Sequence, residues 1–263
     1  MPGIFTGKVY LLVTGASRGI GKSIAKAFSP NLESQSRVLL LARNSTDLEK
    51  TSNEIATNGV NASYESIDFS LPSDAGQLRE IIDKSLKNEK PENFNQAIIV
   101  HCAAMANFSQ STNEMTNLDE WHKCFNLNMF SAAMLNGVFM STFHSNNVRK
   151  YVFNISSYWG LEPDVFVGSY CSAKAAKDMF FKVFAKENPH VNVLNYLPGY
   201  VGTDMFHDVL KKSANENLKE KIKEMINSKT FVTPEQTSNY LLQVVKQQKY
   251  ESGDYVDFYK KTF

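Results

Sequence analysis

Tyr170 and Lys174 stand four residues apart in "YCSAKAAKDMFFKVFA". On a helix that spacing brings both side chains to one face. A phenol is a poor acid–base group near neutral pH because its reference pKa is about 10, but an adjacent ammonium stabilises the phenolate and pulls that value down. The pair then becomes a usable proton donor. The same spacing also occurs in ordinary surface pairs. Thirteen residues before Tyr170, "FNISS" ends an apolar run with Ser156 and Ser157. A hydroxyl there can hold a carbonyl oxygen beside the phenol, so two independent features point at one cleft.

A second constellation lies near the N-terminus. "LLVTGASRGIGKSIAKAF" puts Gly15, Gly19 and Gly21 after a strand-like run and at the mouth of a helix. Without side chains there, the backbone can turn sharply and let a pyrophosphate lie on the helix N-terminus, where free N–H groups and the dipole favour negative charge. The segment Gly15, Ser17, Arg18, Gly19, Ile20 and Gly21 is therefore the candidate phosphate cradle, although a glycine triplet alone also suits a plain turn. About twenty residues on, an acid would hold the ribose 2′-hydroxyl of NAD. The chain has Ala42, Arg43 and Asn44 instead. Arg43 with Arg18 can clamp a 2′-phosphate, which predicts NADP(H) over NAD(H). Asp68, with Phe69 beside it, is placed to meet an adenine amine or to cap a helix.

Something must hold these residues in place. The runs "KVYLLVT", "RVLLLA", "QAIIVHC", "KYVFNIS" and "VNVLNYL" each have the length of a strand buried on both faces. Between them lie stretches with helical spacing, such as Leu78, Ile81, Ile82 and Leu86. The alternation predicts a parallel, doubly wound α/β sheet in one domain spanning residues 1–263. The polar stretch Lys211 to Lys229, within a wider segment 205–230, reads as a mobile substrate flap. With 28 basic and 27 acidic side chains, no broad basic face is available for nucleic acid or an anionic membrane. The apolar runs are too short for a membrane span and the N-terminus lacks a signal-like segment, so a cytoplasmic location is expected. Cys102, Cys124 and Cys171 are odd in number and form no C-x-x-C, which favours reduced thiols and neither disulfides nor zinc.

Together, Thr14 to Gly21, Ser157, Tyr170, Lys174 and "NYLPGYVGTDM" resemble the short-chain dehydrogenase/reductase family over nearly the whole chain. Within it, "YCSAKAAKDMFFKV", "VNVLNYLPG", "TDM" and the terminal "VDFY" are most similar to the members that reduce pterin ketones. The resemblance implies a Rossmann-type sheet of about seven parallel strands flanked by helices on both faces, bound NADPH, and a catalytic tetrad of Asn128, Ser157, Tyr170 and Lys174. Asn128 would seat a water linking Lys174 to solvent, a choice over Asn126 that rests on the family. Pro198 and Gly199 would close the nicotinamide end, or form a plain turn. Val201, Gly202, Thr203, Asp204, Met205 and Phe206 would contact the cofactor, and Gly199 the substrate. A homodimer through the helices bearing Asn128 and Tyr170 is also implied.

The implied activity is NADPH-dependent reduction of pterin side-chain ketones at the last stage of tetrahydrobiopterin formation. A reductase of aromatic ketones or diketones and a non-catalytic NADP(H)-sensing module are the alternatives. Pterins present an exocyclic amine and a ring N–H as parallel donors, which a carboxylate accepts bidentately. The resemblance gives that role to Asp257 in "GDYVDFYKKTF", whose other reading is a pin for the C-terminus. One departure stands out: His101, Cys102, Ala103 and Ala104 replace the usual Asn-Asn-Ala-Gly. The missing asparagine ordinarily ties strands together near the adenine. His101 and Cys102 have no third ligand at a metal-like spacing, so a buried packing pair is the expectation, and Cys171 is expected to line the pocket wall.

Overall fold

Six-residue apolar runs with no room for a polar face can be satisfied only between two layers, and the sheet is built from them. The computed structural model describes residues 3–56 and 59–260. Strands β1 (Val9–Thr14), β2 (Arg37–Ala42), β4 (Gln96–His101), β5 (Arg149–Ile155) and β6 (Asn192–Leu197) are buried along nearly their whole length. β3 (Asn61–Ser66) and the short β7 (Tyr255–Asp257) close the two edges. All seven strands pair in parallel in the order β3-β2-β1-β4-β5-β6-β7. The order reverses between β1 and β4, and the carboxyl ends at such a switch point are where open α/β sheets bind ligands.

Helices cover both faces. On one side, Phe28 of α1 (Gly19–Phe28) and Leu241 of α9 (Pro234–Gln247) pack on Leu11, Val13 and Phe153. On the other, α3 (Ala75–Leu86), α5 (Ser131–Thr142) and α6 (Gly168–Glu187) contribute Leu78, Phe139 and Phe181 against Tyr10, Leu12 and Ile99. Burying each such side chain fully is worth about 1.5–3 kcal/mol. α2 (Ser45–Ala56) completes the first face, and α4 (Leu118–Phe125) runs into α5 through a π-helical turn, Asn126–Phe130. A third cluster sits above the carboxyl ends, where Phe206 and Val209 of α7 (Asp204–Lys212) meet Leu218 and Ile222 of α8 (Glu216–Asn227) and Phe108. The polar stretch read as a flap is thus largely helical, with its apolar stripe turned inward.

Capping marks where the site lies. Asp74, Asn117, Asn215 and Thr233 accept from the first turns of α3, α4, α8 and α9. α1 and α7 begin without a side-chain cap, and both N-termini open on one cleft. Their first N–H groups are left for another acceptor.

Candidate active site

The cleft has a volume of about 1190 Å³ and runs along the carboxyl ends of the strands from Arg43 to Asp257. Gly15 turns the chain out of β1 with φ +68°, a conformation that glycine adopts without strain, and its N–H donates to Leu41 O at 2.7 Å. At Gly21 a Cβ would lie 2.3 Å from Gly15 O, so only glycine lets α1 approach β1 this closely. Ser17, Arg18, Gly19 and Ile20 line the cleft between them. The bare helix start, the close backbone and the positive partial charge fit a pyrophosphate.

Arg43 and Asn44 also line the cleft, both exposed. Asn44 caps α2: its Oδ1 accepts from Asp47 N at 3.0 Å and its amide donates to Asp47 Oδ2 at 2.8 Å. Arg18 forms an ion pair with Asp204 rather than turning to Arg43, so loops that follow β1 and β6 are tied across the cleft. Phe69 reaches the cleft wall, but Asp68 does not; its Oδ1 accepts from Ser70 N at 2.9 Å and Ser70 Oγ at 2.7 Å, which shapes the turn. Val201, Gly202, Thr203, Asp204, Met205 and Phe206 all face the cleft, with Val201 bridged to Val232.

The tie usually made by the missing asparagine is supplied differently. Thr14 Oγ1 accepts from Cys102 N at 2.9 Å and Ala103 N at 3.1 Å, joining the ends of β1 and β4. His101 is buried with its ring 5.0 Å from Phe181. Asn136 lies beside it, yet neither ring nitrogen nor Asn136 Oδ1 has a partner in sound hydrogen-bond geometry. Burial pushes the imidazole pKa down to about 3. Burial pushes the Cys102 thiol up to about 11. No group of three His, Cys, Asp or Glu among the described residues is arranged to hold a metal. Cys102 lines the cleft, whereas Cys171, expected there, packs instead toward the cluster of Phe108 and Phe206 because it sits on the next face of α6.

Tyr170 and Lys174 occupy successive turns of α6, nearly buried at 5% and 2% exposure, with the ammonium 5.5 Å from the phenol ring centre. Lys174 Nζ donates to Ile155 O, the last carbonyl of β5, at 2.9 Å. Ser156 donates to Asp178 Oδ2 at 2.5 Å and is held below, while Ser157 is half-buried and faces the cleft with Tyr170. Trp159 stands edge-on to Tyr170 at 6.1 Å. Asn128 is fully buried in the π-helical turn; its amide brackets Met105, accepting from the N–H at 3.1 Å and donating to the carbonyl at 2.9 Å. Its side chain is thereby occupied and does not line the cleft. Asn126 turns away, to Ser70 O at 3.1 Å.

At the other end, Asp257 is half-buried on β7, and one oxygen accepts from Tyr259 N at 2.8 Å. Among the described residues it forms no ion pair with a lysine or arginine. Gly199 takes φ +82°, and a Cβ there would be 2.9 Å from the Tyr259 ring. Tyr259 accepts from Tyr200 N at 3.1 Å, so the C-terminal segment seals this wall. Tyr200, Tyr259 and Lys221, whose Nζ donates to the Tyr200 hydroxyl at 3.0 Å, were not legible as site residues from spacing alone.

A tyrosine–lysine pair shares one cleft with a glycine turn and an uncapped helix start on a doubly wound sheet. Residues 9–214 match the family profile described as short chain dehydrogenase, and the chain belongs to that family of nicotinamide-dependent oxidoreductases. Sepiapterin reductase from Bos taurus is 29% identical over 255 residues, covering 96% of this chain and 95% of its own. Benzil reductase ((S)-benzoin forming) from Bacillus subtilis is 27% identical over 210 residues, covering 78% and 79%. Among solved structures, L-sorbose reductase from Gluconobacter frateurii, complexed with NADPH and L-sorbose, superposes with a TM-score of 0.77 at 21% identity over 98% of each chain. No described helix is long and apolar enough to cross a membrane.

Proposed function

We propose that this protein is an NADPH-dependent reductase of pterin side-chain ketones, sepiapterin and 6-pyruvoyl-tetrahydropterin among them, acting in tetrahydrobiopterin formation. The observation that carries the reading is one cleft bearing Tyr170, Ser157 and Lys174 at its centre and an Asp257 carboxylate on its far wall. The likeness to sepiapterin reductases over nearly the whole chain supports it.

When bound, NADPH supplies hydride to the ketone carbon. The cradle of Gly15 to Gly21 holds its pyrophosphate, Arg43 favours the 2′-phosphate, and Val201 to Phe206 flank the remainder. The other proposed cofactor contacts are Arg18, Asn44, Asp68 and Phe69; Arg18 must leave Asp204 to join Arg43, and Asp68 already serves a turn. Ser157 orients the substrate oxygen, and Tyr170 gives it a proton. Lys174 holds the ribose and offers the positive charge that the resulting phenolate needs. Asn128 keeps the segment at Met105 in place. Asp257 accepts the paired pterin donors and so fixes where the ketone falls, with Gly199 touching the substrate; such anchoring converts binding into rate.

Exposed Leu118, Phe130, Met134, Met179 and Val183 on α4 to α6 support pairing of two copies through these helices. A second reading, reduction of aromatic diketones, is favoured by the aromatic wall of Phe108, Trp159 and Phe206 and by the likeness to benzil reductases. Initial rates with sepiapterin and benzil, each with NADPH and NADH, decide between them. The pterin reading requires sepiapterin with NADPH to give the highest kcat/KM; preference for benzil removes it.

A further inference from the structure

Lys177 follows Lys174 by three residues on α6, and both amines donate to one acceptor. Lys174 Nζ lies 2.9 Å from Ile155 O, and Lys177 Nζ lies 3.3 Å from the same atom. Lys177 is 1% exposed and, among the described residues, has no ion pair. The carbonyl has lone pairs for two donors, but two ammonium charges on one oxygen repel.

The groups around Lys177 decide which amine keeps the charge. From the end of β4 come His101 and Cys102, and burial leaves both uncharged near neutral pH. Asp178, next on α6, is the nearby anion, yet its oxygens accept from Asn154 Nδ2 at 2.7 Å, Ser156 Oγ at 2.5 Å and the Tyr255 hydroxyl at 3.3 Å. Those donors are neutral, so Asp178 still favours charge on Lys177; the other charged neighbour, Lys174, opposes it. Burial first, and the Lys174 charge second, hold the Lys177 amine well below the usual lysine range.

We propose that Lys177 is a positioning residue for the Tyr170–Lys174 pair: it shares the Ile155 carbonyl with Lys174 as the longer, weaker donor, and when protonated it competes for that carbonyl and unseats the Lys174 ammonium. The proton comes from solvent onto the Nζ lone pair, and nothing is oxidised or reduced. The inference rests on the reading that Lys174 holds the cofactor ribose and serves Tyr170.

The test compares wild type with Lys177→Met, Lys177→Gln and Lys177→Arg. NADPH affinity is measured by fluorescence titration across the pH range, and single-turnover oxidation of NADPH by sepiapterin is followed beside it. In the wild type, affinity should fall roughly tenfold per pH unit below the titration of Lys177, the slope of one proton competing with binding. Subtracting the Lys177→Met profile removes the cofactor's own phosphate titration and should isolate that slope. Lys177→Gln should behave like Lys177→Met, and Lys177→Arg should bind weakly throughout. A purely structural role predicts profiles of unchanged shape, offset by a constant factor; that outcome overturns the proposal.

Should the substitutions prevent folding, the ¹⁵N shift of Lys177 Nζ in the wild-type protein decides. Titration of that amine well below the usual lysine range is expected, and titration within that range refutes the idea. If no ketone is reduced but the binding slope and the lowered titration are found, the functional reading fails and this inference stands. If sepiapterin is reduced and the profiles superimpose, the reverse holds.

Discussion

Replacing His101 by asparagine, the residue the family usually carries there, should remove a specific acid weakness. His101 is 2% exposed, packed on Phe181, and burial pushes its imidazole from 6.5 down to about 3. The folded state therefore holds it neutral, while the unfolded chain protonates it near 6.5. Stability from this group is complete above 6.5 and is lost as pH falls from there toward about 3. At 1.36 kcal/mol per unit, the loss is about 2 kcal/mol at about pH 5 and approaches about 5 kcal/mol near pH 3. An asparagine cannot titrate. Urea unfolding followed by Trp121 and Trp159 fluorescence, at about pH 7.5 and about pH 5, should show the gap between wild type and His101→Asn shift by about 2 kcal/mol in favour of the variant. A gap constant to within about 0.5 kcal/mol would show that His101 is not held neutral, and the reasoning from burial would fail.

Other perturbations address the ends of the cleft. Asp257→Asn keeps the shape but loses the anionic acceptor; kcat/KM for sepiapterin should drop about 100-fold, the worth of a charged bidentate contact, while benzil reduction stays within about threefold. Equal losses on both substrates would assign Asp257 to the fold alone. Arg43→Ala removes the cation nearest the proposed 2′-phosphate, and the NADPH-over-NADH preference should fall by about tenfold or more in fluorescence titrations. Unchanged preference would move cofactor discrimination to Arg18.

Much of this arrangement was legible because buried strands announce themselves. β1, β2, β4, β5 and β6 are apolar at nearly every position, and the glycine loop falls between the first of them and a helix. β3 reads "NASYES", polar on its exposed face as an edge strand can be, and β7 is three residues long, so neither carried a complete pattern. Tyr170 and Lys174 are local, four apart on one helix. Arg18 is not: its partner Asp204 lies 186 positions away, and only the fold brings the two loops together. Asn128 likewise meets Met105 through the π-helical turn, a geometry that leaves no spacing signature. Lys177 has no spacing signature within its helix, because what distinguishes it is the carbonyl of Ile155, which arrives from β5.

The account depends on the phenol as proton donor, and Tyr170→Phe removes only that hydroxyl. Single-turnover reduction of sepiapterin by the NADPH-loaded variant should slow by at least about 100-fold, the usual worth of a positioned general acid, with NADPH affinity and melting temperature unchanged. A rate within about twofold of wild type would contradict it.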